Sequence, residues 1–81
     1  FSAYTTFTIT ISMEDRPGVV EDVRKAFNQP GRRLVSISVE RSLHSKRMKL
    51  ELLARVRGKQ ALEEVMATIS TIHGLRAYKV S

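Results

Sequence analysis

The chain has no cysteine and no tryptophan, and only two prolines and four glycines among its 81 residues. Without cysteine there can be no disulfide, thiolate zinc site, iron–sulfur cluster or thiol nucleophile. The two histidines, His44 and His73, fall in separate segments and have no metal-pair spacing. Glycine-rich phosphate loops are missing. No apolar run approaches the roughly 18 residues of a membrane span, and no signal-peptide pattern opens the chain. Glu14 and Asp15 are adjacent carboxylates, but capping a helix is a simpler task for Asp15 than acid–base or metal chemistry. These absences point away from an enzyme and leave neither a metal nor a cofactor to expect.

What is present suffices for one small domain over residues 1–81. Apolar residues make up 42% of the chain and charged ones 27%, which is too apolar for a disordered tail. The core must be thin, because short chains bury a smaller share of their surface. The first residue is Phe1 rather than Met, so we expect a fragment, C-terminal in a longer protein. Net charge is +6, and its distribution is uneven. Residues 1–40 and 60–81 are each balanced. Residues 41–59 hold Arg41, Lys46, Arg47, Lys49, Arg55, Arg57 and Lys59 against Glu51 alone. A basic stripe of this kind attracts anionic partners or simply keeps a strand pair solvated.

Hydrophobic periodicity divides the chain into six elements. Tyr4–Met13 alternates, with Phe7, Ile9, Ile11 and Met13 on one face and hydroxyl residues on the other. Pro17 and Gly18 open a helix, with Asp15 as the expected cap, and Val19, Val20, Val23, Ala26 and Phe27 recur at helical spacing. After Asn28–Gly31, Leu34–Glu40 alternates again, placing Val35, Ile37 and Val39 together. Across a polar turn at Ser42–Lys46, Met48–Val56 alternates in its turn, which makes an antiparallel hairpin. Ala61, Leu62, Val65, Met66, Ile69 and Ile72 form a second helical stripe, with Glu63 and Glu64 assigned to its N-terminal end and Gly74 to a left-handed C′ position. Leu75–Val80 closes the chain as a strand. The order βαββαβ is the α+β, ferredoxin-like split pattern. It predicts a four-stranded antiparallel sheet ordered 4-1-3-2 with both helices on one face.

On the face away from the helices, the outer strand positions are Thr6, Thr8 and Thr10, then Lys49, Glu51, Leu53, Arg55 and Arg57. These are not the stacking aromatics of a sequence-specific RNA-binding sheet. Nucleic acid is therefore not an expected partner beyond phosphate contact by the arginines.

The segment Met13-Glu14-Asp15-Arg16-Pro17-Gly18-Val19-Val20 resembles the signature of the ACT domain family, a strand ending in an Asp/Asn-Arg-Pro-Gly loop followed by two aliphatics. Gly31 before Leu34-Val35-Ser36-Ile37 and the ending Ile72-His73-Gly74-Leu75-Arg76-Ala77 agree with the likeness, which spans Phe7 to Val80. The resemblance implies a regulatory module that binds an amino acid or another small, anionic effector and signals to an attached protein through dimerisation. The implied ligand site is Met13, Asp15, Arg16, Pro17, Gly18, Val19 and Arg33, with Asp15 and Arg16 facing the charged groups of the effector. The expected interface is Val35, Ile37, Val39, Arg41, Leu53, Arg55 and Arg57. Met13, Arg32 and Arg33 depart from the amino-acid-binding pattern. They raise an alternative: a domain without a ligand, serving protein contacts or the membrane-proximal part of an MgtC/SapB-type membrane protein. In either case the resemblance implies a cytoplasmic location, with membrane contact only through a parent protein.

Overall fold

The third strand has the clearest pattern of the six elements: from Arg47 to Val56 its residues alternate exposed and buried without a break. In the computed structural model, which describes residues 3–81, this strand is β3, and it forms the centre of the sheet with β1 (Thr5–Glu14). The first two residues of the expected 1–81 domain lie outside the described residues. Strand β2 (Arg32–Ser42) flanks β3, and β4 (Leu75–Val80) flanks β1. The order is β2-β3-β1-β4 with every pair antiparallel, which is the expected 4-1-3-2 sheet read from its other edge.

Two helices complete the βαββαβ order, α1 (Val19–Lys25) and α2 (Lys59–Ser70). Helix α1 stops two residues short of the expected apolar stripe. From Ala26 to Asn28 the backbone tightens into bonds to the third residue back, and this turn still buries Ala26 and Phe27. Helix α2 begins at Lys59, so its first turn holds no acidic residue. Glu63 and Glu64 lie one turn further in, which corrects their expected place at the N-terminus.

The core lies between the sheet and the helices. Ile9, Ile11, Leu50, Leu52, Val23, Val65 and Ile69 are fully buried in one cluster that also takes in Met13, Met48 and Phe27. Phe7, Ile37 and Met66 are partly buried against it.

Strand β2 departs from its sequence pattern. A bulge between Leu34 and Ser36 shifts the register, so that Leu34 opposes Ala54 while Ile37 opposes Leu52. The extra residue is Val35, which is exposed. The helix-side set of β2 is therefore Leu34, Ile37 and Val39, not Val35, Ile37 and Val39. An inserted residue flips the alternation on one side of it.

Candidate functional site

The loop from Glu14 to Gly18 joins β1 to α1, and it is bonded to three other parts of the fold. The Glu14 amide donates to the Gly74 carbonyl at 3.0 Å, and the Asp15 amide donates to the Lys46 carbonyl at 2.9 Å. Gly18 is the helix N-cap at φ 84°, a left-handed conformation that explains glycine at this position. Asp15 does not cap the helix. Its carboxylate pairs with Arg41 on β2 at 3.3 Å. A carboxylate three residues before the N-cap Gly18 is poorly placed to accept from the first amides of the helix.

Arg16 is engaged on every side. Its Nε donates to the His73 carbonyl at 2.9 Å, Nη1 to the Pro17 carbonyl at 3.2 Å, and Nη2 to Asp22 Oδ2 at 2.9 Å. The side chain thus fastens the β1–α1 loop both to α1 and to the α2–β4 turn. Met13 is completely buried and belongs to the core. Of the expected ligand residues, Asp15 to Val19 are contiguous, with Pro17 and Gly18 exposed and Val19 buried.

Arg33 lies elsewhere. It opposes Arg55, which opposes Thr6, whereas the loop follows Glu14 at the other end of β1. Eight strand residues separate the two levels, roughly 26 Å at the rise of an extended chain. Within one copy of the chain, Arg33 therefore does not join the loop. Its neighbour Arg32 is a structural residue: Nη1 donates to the Ala26 carbonyl at 2.9 Å and Nη2 to Glu64 at 2.6 Å, with the side chain 7% exposed.

The expected interface residues do not share one surface either. Ile37, Val39 and Arg41 lie on the helix side of β2, in register with Leu52, Leu50 and Met48. Leu53 and Arg55 lie on the opposite face of β3, and Val35 sits in the bulge. The basic stripe of residues 41–59 is divided in the same way. Arg41 pairs with Asp15, Lys49 faces Glu40 across the ladder, and Arg47 faces Glu14. One residue that sequence reasoning passed over matters here. Tyr4 lies beneath two guanidinium groups, with Arg57 4.9 Å and Arg55 5.7 Å from its ring centre. An aromatic at the start of a strand carries no signal of this in the sequence, because the arginines reach it from β3 across the sheet. Among the described residues no group of three His, Cys, Asp or Glu side chains could hold a metal ion.

Residues 3–77 match the family model described as ACT domain. The chain belongs to the ACT domain family. ACT domains are generally regulatory, non-catalytic modules. Solved structures agree on the fold. The ACT domain of GTP pyrophosphokinase from Chlorobium tepidum superimposes with a TM-score of 0.79 at 14% identity, covering 96% of this chain and 99% of that one. The C-terminal domain of the MgtC protein from Mycobacterium tuberculosis gives 0.77 at 12% identity, covering 98% and 86%. A homoserine dehydrogenase from Thiobacillus denitrificans gives 0.75 at 17% identity, with the matched region covering 96% of this chain and 16% of that one. No curated protein matches the chain in sequence. Among the described residues, no helix of this ACT domain is long and apolar enough to cross a membrane.

Proposed function

We propose that this ACT domain regulates by association, pairing the free edge of β2 with a second copy or another ACT module, rather than by gripping an amino acid in its β1–α1 loop. The observation that carries this reading is the saturation of the loop. Arg16 is held by Asp22 and two carbonyls, and Asp15 by Arg41. A ligand's carboxylate and amino group would have to displace these partners.

The edge supports the same reading. Strand β2 runs eleven residues without proline and pairs on one side only. Unpaired edges of this kind recruit further strands. Between the bulge at Val35 and the strand end, Ser36–Ser42 keep an unbroken register with β3. A twofold antiparallel pairing that uses all of them is centred on Val39, with Ile37 opposite Arg41 and Ser38 opposite Glu40 of the second copy. It would cover Val39, which is 40% exposed on the helix side. Centring on Glu40 instead would set two carboxylates against each other. The likeness to the MgtC C-terminal domain fits a domain that docks within a larger, cytoplasm-facing parent protein.

Light scattering of the 81-residue chain up to millimolar concentration tests the proposal. The mass should rise toward that of a dimer. Val39→Lys, which places two ammonium groups across the axis, should hold it at the monomer while its circular dichroism stays unchanged. A wild-type chain that stays monomeric throughout would overturn self-pairing.

One observation favours a sensory reading beside this one. Gly18 is exposed, and a Cβ there would meet nothing within 4 Å, so a small effector has access to the loop backbone. Titration with the twenty amino acids and common nucleotides, read by amide shifts, separates the two readings. Shifts clustered on residues 13–20 would favour sensing, and silence there would favour association alone.

A further inference from the structure

The sheet face opposite the helices carries the domain's excess charge at one end only. From the β3 start upward, Arg47 faces Glu14, Lys49 faces Glu40, and Glu51 occupies the next level. Beyond Leu53 the compensation stops. Arg55 faces Arg33 on one side and Thr6 on the other, and Arg57 follows beside Tyr4. None of these three arginines is in an ion pair among the described residues. Like charges directly opposite on neighbouring strands destabilise the pair, so Arg33 and Arg55 oppose folding rather than assist it.

We propose that this end of the open sheet face, Arg33, Arg55 and Arg57 around Leu53, is a docking surface for an acidic protein segment that carries an apolar side chain between its carboxylates. The cations are all arginine, whose planar fork takes carboxylate or phosphate in a bidentate way, and two features of their surroundings favour a protein over a nucleic acid or a lipid surface. Arg55 and Arg57 are already ordered over the Tyr4 ring, and Arg57 Nη2 donates to the Tyr4 hydroxyl at 3.3 Å, which lowers the entropy lost on binding. Leu53, 37% exposed, offers an apolar centre with Ser36 and Thr8 beside it in register. Arginine and tyrosine are enriched among the residues that carry protein-interface binding energy. Bases would instead need uncovered aromatic faces, and Tyr4 is already occupied. Arg33 lies on β2 before the bulge, outside the Ser36–Ser42 segment proposed to self-pair, so Arg33→Glu tests this surface and leaves that segment untouched.

The test is an amide-shift titration of the 81-residue chain with a ten-residue peptide of alternating Glu and Leu. A poly-uridine RNA and vesicles of phosphatidylcholine with phosphatidylserine are run in parallel. The peptide should shift Thr6, Arg33, Leu53, Arg55 and Arg57, with affinity falling as salt rises. Arg33→Glu should weaken it at least about tenfold while the melting temperature is unchanged or higher, since the new carboxylate opposes Arg55. Leu53→Ser should weaken the peptide but leave any binding of a pure Glu decamer unaltered. Failure of the peptide to bind, shifts confined to other surfaces, an unaffected Arg33→Glu variant, or RNA or vesicles binding more tightly than the peptide would each overturn the proposal.

Discussion

Arg32 reaches from the first residue of β2 to Glu64 on α2, 2.6 Å away, and its other terminal nitrogen donates to the carbonyl of Ala26. One side chain thus ties the end of the α1 turn to the second helix, on the side of the fold where both connections meet the sheet. Arg33, the next residue, points to the other face and opposes another arginine. Two adjacent, chemically identical residues therefore have opposite energetic roles, decided by strand alternation.

This contrast is directly measurable. Arg32→Met should destabilise the domain by about 1–3 kcal/mol, because it leaves a part-buried carbonyl without its donor. For a chain of this size that lowers the melting temperature by several degrees. Arg33→Met should lie within about 0.5 kcal/mol of the wild type or above it. Thermal denaturation of the two variants compares them.

Gly74 lies three residues past the α2 cap Thr71, in the turn before β4 and not at the expected C′ position, and with the N-cap Gly18 it allows a second comparison of left-handed glycines. At Gly74, φ is 89° and an added Cβ would lie 3.2 Å from the Cβ of Glu14. At Gly18, φ is 84° and the space is open. Gly18→Ala should cost about 1 kcal/mol for the backbone conformation alone. Gly74→Ala should cost more, about 2–3 kcal/mol, since it adds a clash with the strand that carries the loop. Equal losses by urea denaturation would show that the contact with Glu14 relaxes freely.

Leu50 and Leu53 test which face of β3 builds the core. Leu50 is fully buried, and its truncation to alanine should cost about 2–5 kcal/mol. Leu53 is on the open face, and Leu53→Ala should cost less than about 1 kcal/mol. Chemical denaturation midpoints give both values.

Arg16 should act on stability and not on chemistry. Arg16→Leu removes three bonds that hold the loop to α1 and to the α2–β4 turn, and should lower stability by about 1–2 kcal/mol. Asp22→Asn keeps a neutral acceptor for the same guanidinium and should cost about half as much. Amide hydrogen exchange should speed up at Glu14 and Asp15 in the first variant before the rest of the sheet is affected.

Strand alternation in Phe7–Met13 and Met48–Val56, together with the helical stripe of residues 61–72, was enough to read the elements and the sheet order, because those patterns reflect burial on one face. The pattern failed at Val35. A bulge adds one residue whose side chain has no fixed face, and nothing in Leu34-Val35-Ser36 distinguishes it from regular strand. The site was less legible than the fold. Asp15 and Arg16 read as groups available to a ligand because a sequence carries no record of distant partners. Arg41, Asp22 and the His73 carbonyl became those partners only when three separate turns met at one end of the sheet.

The sequence by itself determined the βαββαβ order, the family and the residues of the core, since each follows from local periodicity and from a short loop motif. Only the tertiary structure decided which charges are spent and which remain. It paired Arg41 with Asp15, set Lys49 against Glu40 and Arg47 against Glu14, and left Arg33, Arg55 and Arg57 without an ion pair among the described residues. The physical reason is that electrostatic compensation depends on separations of a few ångströms across strands, and strand register, not position along the chain, sets those separations.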